Sequence, residues 1–313
     1  MNAVVLGFDV GGTGARGVIG HSGDVLAREV PLQRGPSGVD GAATAAVLAS
    51  LAAGLLGVDP PPVAAVAVGC AGALDLGADL RVHVPPAMAR ATGAPLIVIT
   101  SDMVTSFLGG LGGEPGVVLA VGTGAVAVGS DLRGEWRRVD GWGDIVGDVG
   151  GGAWIGRAGL TAALRAHDGR PGGSALLRAE LLRRFAGPAA LVADLHSRTD
   201  RAGTLAGFAP VVLAAAADGD PAAVRIRAQA CRHLAGTAAA ARPPALFPAS
   251  TVLTGALFTA HGEFRDSLRA ELPGELMVRE ASGTACDGAV RLAEAAIAGR
   301  LPAGVDRWAT LHR

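Results

Sequence analysis

The segment over residues 141–156 combines residue types that rarely occur together. Seven of its sixteen residues are glycine, and Trp142, Asp144, Asp148 and Trp154 stand among them. Glycine supplies no side chain to pack and loses backbone entropy on folding, so the segment is not an ordinary helix or strand. Closely approaching backbone, an indole face and a carboxylate together suit a sugar, which has apolar C–H faces and hydroxyl groups. The segment predicts a sugar site with Trp142 and Asp148; the alternatives are a core aromatic and a loop cap.

A second glycine-rich segment, over residues 7–17, lies between two predicted strands. Phosphate-binding fingerprints of the dinucleotide and P-loop types lead into a helix, whereas this turn leads back into a strand. The backbone N–H groups of Gly11 and Gly12 and the hydroxyl of Thr13 can surround phosphate oxygens. Asp9, at the end of a buried strand, is placed to hold Mg²⁺ through water. A plain glycine hairpin is the alternative, but it would not require an aspartate at the strand end.

Two further glycine turns complete this pattern. Gly122-Thr123-Gly124 follows an apolar strand, and although such a tripeptide is weak evidence alone, as partner of the first turn it predicts a two-sided phosphate clamp. Gly255 ends another apolar strand just before a helix, which suits an adenosine lying against backbone. Together the turns predict a nucleotide site.

Asp102 follows an apolar strand and precedes a predicted helix. A carboxylate in this position is a good helix N-cap, and the neighbouring Ser101 is another. Capping the helix would be compatible with a catalytic role for the same carboxylate.

The hydrophobic pattern predicts two similar sets of elements that would position these residues. The first set has strands over 3–10, 17–19, 25–31, 62–70 and 95–100, with a helix over 39–56. The second has strands over 116–121, 125–129, 136–139, 251–254 and 276–279, with a helical region over 152–241 and a helix over 284–298. Each set opens with a glycine-rich β-hairpin, which indicates a duplicated architecture.

The three turns in this order resemble the two phosphate segments and the adenosine segment of the actin-like sugar-kinase ATPase superfamily. More narrowly, Ser101-Asp102, Gly122-Thr123-Gly124 and the 141–156 segment resemble the N-acetylglucosamine kinase branch of the BadF/BadG/BcrA/BcrD-type ATPase family. The resemblance extends from Val4 to about Ala295. It implies an α/β fold of two ribonuclease-H-like (actin-like ATPase) domains that flank a nucleotide and sugar cleft. The expected domains are 1–113 and 114–299, with a helical insert in the second and a tail of about 300–313 that returns to the first.

The resemblance also implies roles for single residues. Asp102 would be the general base that accepts the proton of the 6-hydroxyl of an amino sugar, with ATP as donor and Mg²⁺ as cofactor. The implied phosphate and adenosine contacts are Gly11, Gly12, Thr13, Gly122, Thr123 and Gly255. The implied sugar contacts are Ser37, Asp102, Gly124, Trp142, Gly143, Asp148 and Gly152. We further expect a homodimer in the cytoplasm.

The chain departs from the family pattern at two places that bear on the group at C2 of the sugar. The family usually has Gly-Asp-Glu-Gly-Ser where this chain has Val149 and Gly151, and many bacterial relatives have asparagine in the loop that here contains Ser37. Ser37 and the Gly124 N–H can still bind an acyl carbonyl, and Val149 removes a carboxylate that would favour a cationic amine. We therefore expect N-acetylglucosamine as the substrate, with glucosamine as the alternative.

The amino-acid composition argues against several other classes of function. A net charge of −1 over 313 residues gives no broad field for nucleic acid or an acidic membrane. All 27 basic residues are arginine, so neither a Schiff-base lysine nor a P-loop lysine is available. Three separated cysteines predict neither a structural metal nor disulfides. The remaining alternatives are a dehydratase-activating ATPase of the same family, which would need cluster-binding cysteines, and an inactive nucleotide or sugar sensor.

Overall fold

The computed structural model describes residues 3–11, 14–20, 25–28, 34–35, 38–198 and 200–313. Three of the predicted ligand contacts, Gly12, Thr13 and Ser37, lie outside the described residues. The other predicted site residues are all described.

The first lobe is a sheet with its covering helices. Its strands β1, β2 and β3 form an antiparallel meander, and β1, β6 and β7 run parallel, which gives the order β3-β2-β1-β6-β7. The central strands β1 and β6 are almost wholly buried and apolar, as expected for a parallel sheet that is covered on both faces. Its elements are β1 (Val4–Gly11), β2 (Gly14–Ile19), β3 (Val25–Arg28), β4 (Arg34–Gly35), β5 (Gly38–Val39), α1 (Gly41–Leu56), β6 (Val63–Cys70), α2 (Ala78–Thr92), β7 (Ile97–Ser101) and α3 (Asp102–Gly110).

The second lobe repeats this scheme. Its sheet has the order β10-β9-β8-β11-β12, again a meander followed by two parallel strands, so the predicted duplication is confirmed. The described residues of the helical region predicted over 152–241 form six helices. The elements are β8 (Gly116–Val121), β9 (Ala125–Ser130), β10 (Trp136–Asp140), α4 (Gly152–His167), α5 (Ala175–Phe185), α6 (Pro188–Ser197), α7 (Arg201–Ala206), α8 (Ala209–Ala217), α9 (Pro221–Ala241), β11 (Ala249–Thr254), α10 (Ala256–Ala260), α11 (Gly262–Glu271) and β12 (Leu276–Arg279).

The end of the chain joins the two lobes. Helix α12 (Ala285–Ile297) packs against α3 and against the first sheet, and β13 (Ala309–His312) pairs antiparallel with β7. The first sheet therefore has six strands among the described residues. The domain boundaries at residues 113 and 299 stay a prediction.

Helices α3 and α12 hold equivalent places in the two lobes, each following the last parallel strand, and they cross at glycines. A Cβ on Gly109 would collide with the carbonyl oxygen of Thr284, and a Cβ on Gly288 would collide with that of Thr105. The backbones of the two helices are therefore in direct contact. Because α3 begins at Asp102, this crossing fixes the helix that carries the predicted base.

One further property of the helices bears on localisation. Over the residues that the structure describes, no single helix has both the length and the apolar composition needed to cross a membrane. The residues Arg201–Ala217 and Pro221–Ala241 reach those limits only as a pair, which is bent by 113°.

Candidate active site

Asp9 and Asp102 lie at the same edge of the first sheet. Asp9 is near the carboxyl end of β1, Asp102 directly follows β7, and both strands run parallel to β6 between them. Desolvation, with the nearby Asp102 charge as the next cause, raises the pKa of Asp9 to about 7, and Arg16 opposes this shift. Two carboxylates held this close to each other and away from water favour binding a proton or a cation.

The start of α3 orients the Asp102 carboxylate. Ser101 is the helix N-cap, and its hydroxyl donates a hydrogen bond to Oδ1 of Asp102 at 3.0 Å. The N–H of Met103 donates to the same oxygen at 2.9 Å. Desolvation raises the pKa of Asp102, while these bonds and the charge of Arg138 oppose the rise. Ser101 therefore takes the capping role that the sequence had left open for Asp102.

The second glycine turn is supported by the N-terminus of α4. The N–H groups of Gly152 and Ala153 donate to the carbonyl oxygens of Gly122 at 2.9 Å and Thr123 at 2.8 Å. The Gly152 N–H is thus already occupied, and a Cβ on this residue would lie 2.8 Å from the Gly122 oxygen. The structure brings Gly122, Thr123, Gly124 and Gly152 together, and their contacts with phosphate and sugar stay a prediction.

Asp148 lies directly against this turn. A Cβ on Gly124 would collide with Oδ2 of Asp148, so only glycine allows the carboxylate to sit there. The N–H of Gly143 points to Oδ1 of Asp148 at 3.4 Å. Desolvation raises the pKa of Asp148, and the charges of Asp140 and Asp144 add to the rise. Three predicted sugar contacts, Gly124, Gly143 and Asp148, are therefore neighbours.

Asp140 holds the loop that carries Asp148, a role that sequence reasoning missed. Its Oδ1 accepts the N–H of Asp148 at 2.6 Å, and its Oδ2 accepts the N–H of Val149 at 2.9 Å. Asp140 itself has φ +63°, a left-handed conformation that aspartate tolerates better than most residues. The signal was present in the sequence, because a short acidic residue directly before a Gly-Trp-Gly loop is typical of such a cap.

Arg138 is the second residue that was missed. Its side chain is only 10% exposed, and Nη1 forms an ion pair of 2.5 Å with Oδ2 of Asp75 in the first lobe. Its Nε donates to the carbonyl oxygen of Asp140 at 3.1 Å and its Nη2 to that of Gly141 at 2.6 Å. The guanidinium carbon lies 4.2 Å from the ring centre of Trp142. Trp142 is 61% exposed, so it is not a core aromatic.

Gly255, the predicted adenosine contact, lies against the strand that leads into the second turn. It has φ +110°, and a Cβ there would collide with the carbonyl oxygen of Val121, the residue before Gly122. The end of β11 thus lies against the end of β8, with which it pairs in parallel. Gly11, at the end of β1, and Gly122 both have free space where a side chain would begin, the nearest atom to a Cβ on Gly11 being 4.0 Å away.

No dedicated metal cage is present in the described part of the chain. Within it, no group of three or more histidine, cysteine, aspartate or glutamate residues could hold a metal ion. Cys70, Cys231 and Cys286 are buried and unpaired. The oxygen donors of Asp9 and Asp102 fit an ion such as Mg²⁺, which commonly takes only one or two carboxylates and completes its shell with water and substrate phosphates.

Comparisons with known proteins place this geometry in a family. Residues 6–290 match the model of the BadF/BadG/BcrA/BcrD ATPase family. The N-acetylmuramic acid/N-acetylglucosamine kinase of Clostridium acetobutylicum is 34% identical over 86 residues, a match that spans 28% of this chain and 28% of that relative.

Solved structures cover nearly the whole chain. A candidate N-acetylglucosamine kinase from Chromobacterium violaceum is 28% identical, with a TM-score of 0.68 over 92% of this chain and 98% of its own. A second, from Porphyromonas gingivalis, is 19% identical with a TM-score of 0.71 over 93% and 98% of the two chains. A ROK family glucokinase from Streptomyces griseus, solved with glucose and AMPPNP, is 18% identical with a TM-score of 0.59 over 93% and 99%. The latter two show the fold alone, and the predicted two-lobed α/β fold is confirmed.

Proposed function

The chain belongs to the BadF/BadG/BcrA/BcrD ATPase family, and on this premise we propose that it is an ATP-dependent kinase that phosphorylates the 6-hydroxyl of N-acetylglucosamine. The observation that carries the proposal is the meeting of two parts of the chain. The first lobe supplies the carboxylates of Asp9 and Asp102 at one sheet edge. The second lobe supplies the loop of Asp148 and Trp142, and Arg138 of this lobe acts on the Asp102 charge. The names of the similar proteins support a sugar kinase.

ATP would bind between the two hairpin turns. The space at Gly11 and Gly122 leaves their backbone open to phosphate oxygens, and Thr123 adds a hydroxyl. Gly255 would let the adenosine lie against the end of β11. Gly12 and Thr13 complete the proposed phosphate contacts of the first turn.

Asp9 would hold Mg²⁺ through water. When bound, the ion neutralises negative charge that develops on the phosphate oxygens during transfer. The desolvated Asp9 carboxylate, whose pKa the neighbouring Asp102 helps to raise, gains a compensating cation in this way. Asp9 and the phosphates would share the ion.

Asp102 would accept the proton of the attacking hydroxyl. Desolvation raises its pKa, which brings the carboxylate closer to the operating pH and makes it a better proton acceptor. The Ser101 and Met103 bonds hold Oδ1, and this fixes the direction in which the carboxylate faces. Most of the rate gain in phosphoryl transfer comes from positioning and charge stabilisation, and the base adds to these.

The sugar would lie against the second-lobe loop. Asp148 and the Gly143 N–H would bind its hydroxyls, Trp142 would cover an apolar face, and the Gly124 and Gly152 backbone would limit the space around it. Val149 is partly buried next to Asp148, where it offers apolar surface to an acetyl methyl. With Ser37 as a hydrogen-bond donor, these features support an N-acetyl group over a free amine.

An ADP-release assay over a panel of sugars tests the proposal. Initial rates are compared for N-acetylglucosamine, glucosamine, N-acetylmannosamine and glucose at equal concentration, with the Asp102→Asn variant as the control for contaminating kinases. We expect the highest kcat/KM for N-acetylglucosamine. A value for glucosamine about tenfold higher would reverse the substrate assignment. Sugar-independent ADP release with no phosphorylated product would remove the kinase function.

A further inference from the structure

We propose that Arg138 is a positioning residue that couples the approach of the two lobes to the geometry of the sugar loop. The loop concerned carries Trp142 and Asp148, so the inference rests on the proposed function and deepens it. Arg138 does not have to touch the substrate in this role. It acts through Asp75 on one side and through the loop on the other.

The fold sets Arg138 apart from its neighbour. Both Arg137 and Arg138 lie on β10, the edge strand of the second sheet, and successive side chains on a strand point to opposite faces. Arg137 is 42% exposed and pairs with Glu135 of its own lobe at 2.7 Å. Arg138 is 10% exposed and its partners include a residue of the other lobe. Arg137 therefore provides a matched control for substitutions of Arg138.

The loop holds two nitrogens and the face of the Arg138 guanidinium at the same time. Nε and Nη2 bind the carbonyl oxygens of Asp140 and Gly141, and the face of the guanidinium lies over the Trp142 indole. A planar guanidinium that donates hydrogen bonds from its edge and contacts an aromatic ring with its face is held in a single orientation. The ammonium group of a lysine cannot reproduce this. The contacts of Arg138 with the loop therefore hold its guanidinium rigidly.

The other end is a single exposed contact. Asp75 lies in the turn between β6 and α2 and is 54% exposed, so its ion pair with Arg138 is reached by water. Exposed pairs contribute little to stability on their own. The ion pair instead depends on the distance between the lobes, because it exists only while the turn of the first lobe is close to β10 of the second. The contact forms when the lobes approach and is lost when they separate.

The charges around the site give the contact a reason. The charge of Arg138 acts on Asp102 of the first lobe, and its Nε donates to the carbonyl oxygen of Asp140 in the second. The guanidinium lowers the pKa of Asp102 against the effect of desolvation. When the lobes approach, one cation therefore reaches the proposed base and fixes the sugar loop in the same movement.

A double-mutant cycle tests the coupling. The variants are Asp75→Asn, Arg138→Gln and the double variant, with Arg137→Gln as the matched control, assayed on the sugar with the highest wild-type activity. We expect Asp75→Asn to raise the sugar KM about three- to tenfold with little change in kcat, and Arg138→Gln to lower kcat/KM about 10²-fold. The double variant should be no worse than Arg138→Gln alone, because Asp75 acts through Arg138. Independent, multiplying effects would overturn the proposal.

The conservative variant Arg138→Lys separates charge from orientation. It keeps the positive charge but lacks the fork, so we expect its kcat/KM to stay within a few-fold of that of Arg138→Gln. Recovery of wild-type kinetics would show that charge alone suffices and would contradict a positioning role. Arg137→Gln should stay within about twofold of wild type, since exposed ion pairs contribute little.

Hydrogen exchange provides a test without substrate. The amides of Asp148 and Val149, which Asp140 holds, should exchange faster in Arg138→Gln than in wild type and in Arg137→Gln, at equal melting temperature. Unchanged exchange would overturn the positioning role even if kcat falls. If wild type phosphorylates no sugar, the kinase proposal fails, while the exchange rates still decide whether Arg138 holds the loop.

Discussion

The two β-hairpins that open the lobes share a topology but are supported in different ways. The turn after β1 has free space at Gly11 and an aspartate, Asp9, near the end of its strand, and its partner carboxylate Asp102 comes from a neighbouring strand of the same sheet. The turn after β8 is equally open at Gly122 but is crowded at Gly124. Its carbonyl oxygens are bound by the first N–H groups of α4, and Asp148 presses against Gly124.

This difference indicates a division of labour within a duplicated architecture. On the proposed function, the first lobe would contribute charged side chains that act on phosphate and on a proton. The second lobe contributes closely packed backbone, which holds its side chains in position. Isosteric changes that remove charge should therefore affect the first lobe most, whereas the addition of a single methyl group should affect the second lobe most.

The largest effect is expected at Asp102. Replacing Asp102 by Asn keeps the shape and leaves the Ser101 cap in place, but an amide cannot accept the proton. A positioned general base contributes about 10²–10⁴-fold, so we expect kcat to fall by this factor with ATP affinity nearly unchanged. Steady-state kinetics and nucleotide titration check this result. Retention of more than about a third of wild-type turnover would remove Asp102 from the base role and break the comparison.

A methyl group at Gly124 tests the second lobe. The Gly124→Ala variant puts a Cβ against Oδ2 of Asp148, so the carboxylate has to move. A displacement of about 1 Å near the reacting groups can cost about 10²-fold, and we expect a loss of that size in kcat/KM for the sugar. The matched control is Gly236→Ala in α9, where no atom lies within 4 Å of the new Cβ. Equal kinetics for Gly124→Ala and wild type would contradict the role given to the crowded turn.

The smallest effect concerns stability at Asp148, a partly buried carboxylate of the second lobe. Its pKa is raised in the folded state, so the folded protein binds more protons than the unfolded chain, and the stability tied to this group falls as the pH rises above the usual aspartate range. We expect Asp148→Asn to melt on the order of a few degrees higher than wild type at pH 8. The difference should shrink towards pH 4. A lower melting temperature at pH 8 would show that the carboxylate stabilises its loop.

Local signals made most of the fold and part of the site predictable. The hairpins and the aspartates at strand ends each follow from a few consecutive residues, as with Asp102 after its apolar strand. The ion pair of Arg138 and Asp75 joins residues 63 positions apart, and only the tertiary structure brings them together. The occupied N–H of Gly152 depends on where α4 begins relative to the turn, which the hydrophobic pattern does not determine.

The contact between α3 and α12 lies at a distance from Asp102, so a tilt of α3 at this contact displaces the Asp102 carboxylate. Gly109, at the crossing, stands seven residues after Asp102 on the same helix, which at 1.5 Å per residue is an arm of about 10 Å. Because no side chain separates the two backbones at the crossing, the helices have little freedom to shift relative to each other there. A rotation of about 10° around it would carry the Asp102 carboxylate through about 2 Å, more than the misplacement of about 1 Å that can cost 10²-fold in rate. On the proposed function, a small tilt of α3 about this crossing would therefore be enough to displace the proposed base.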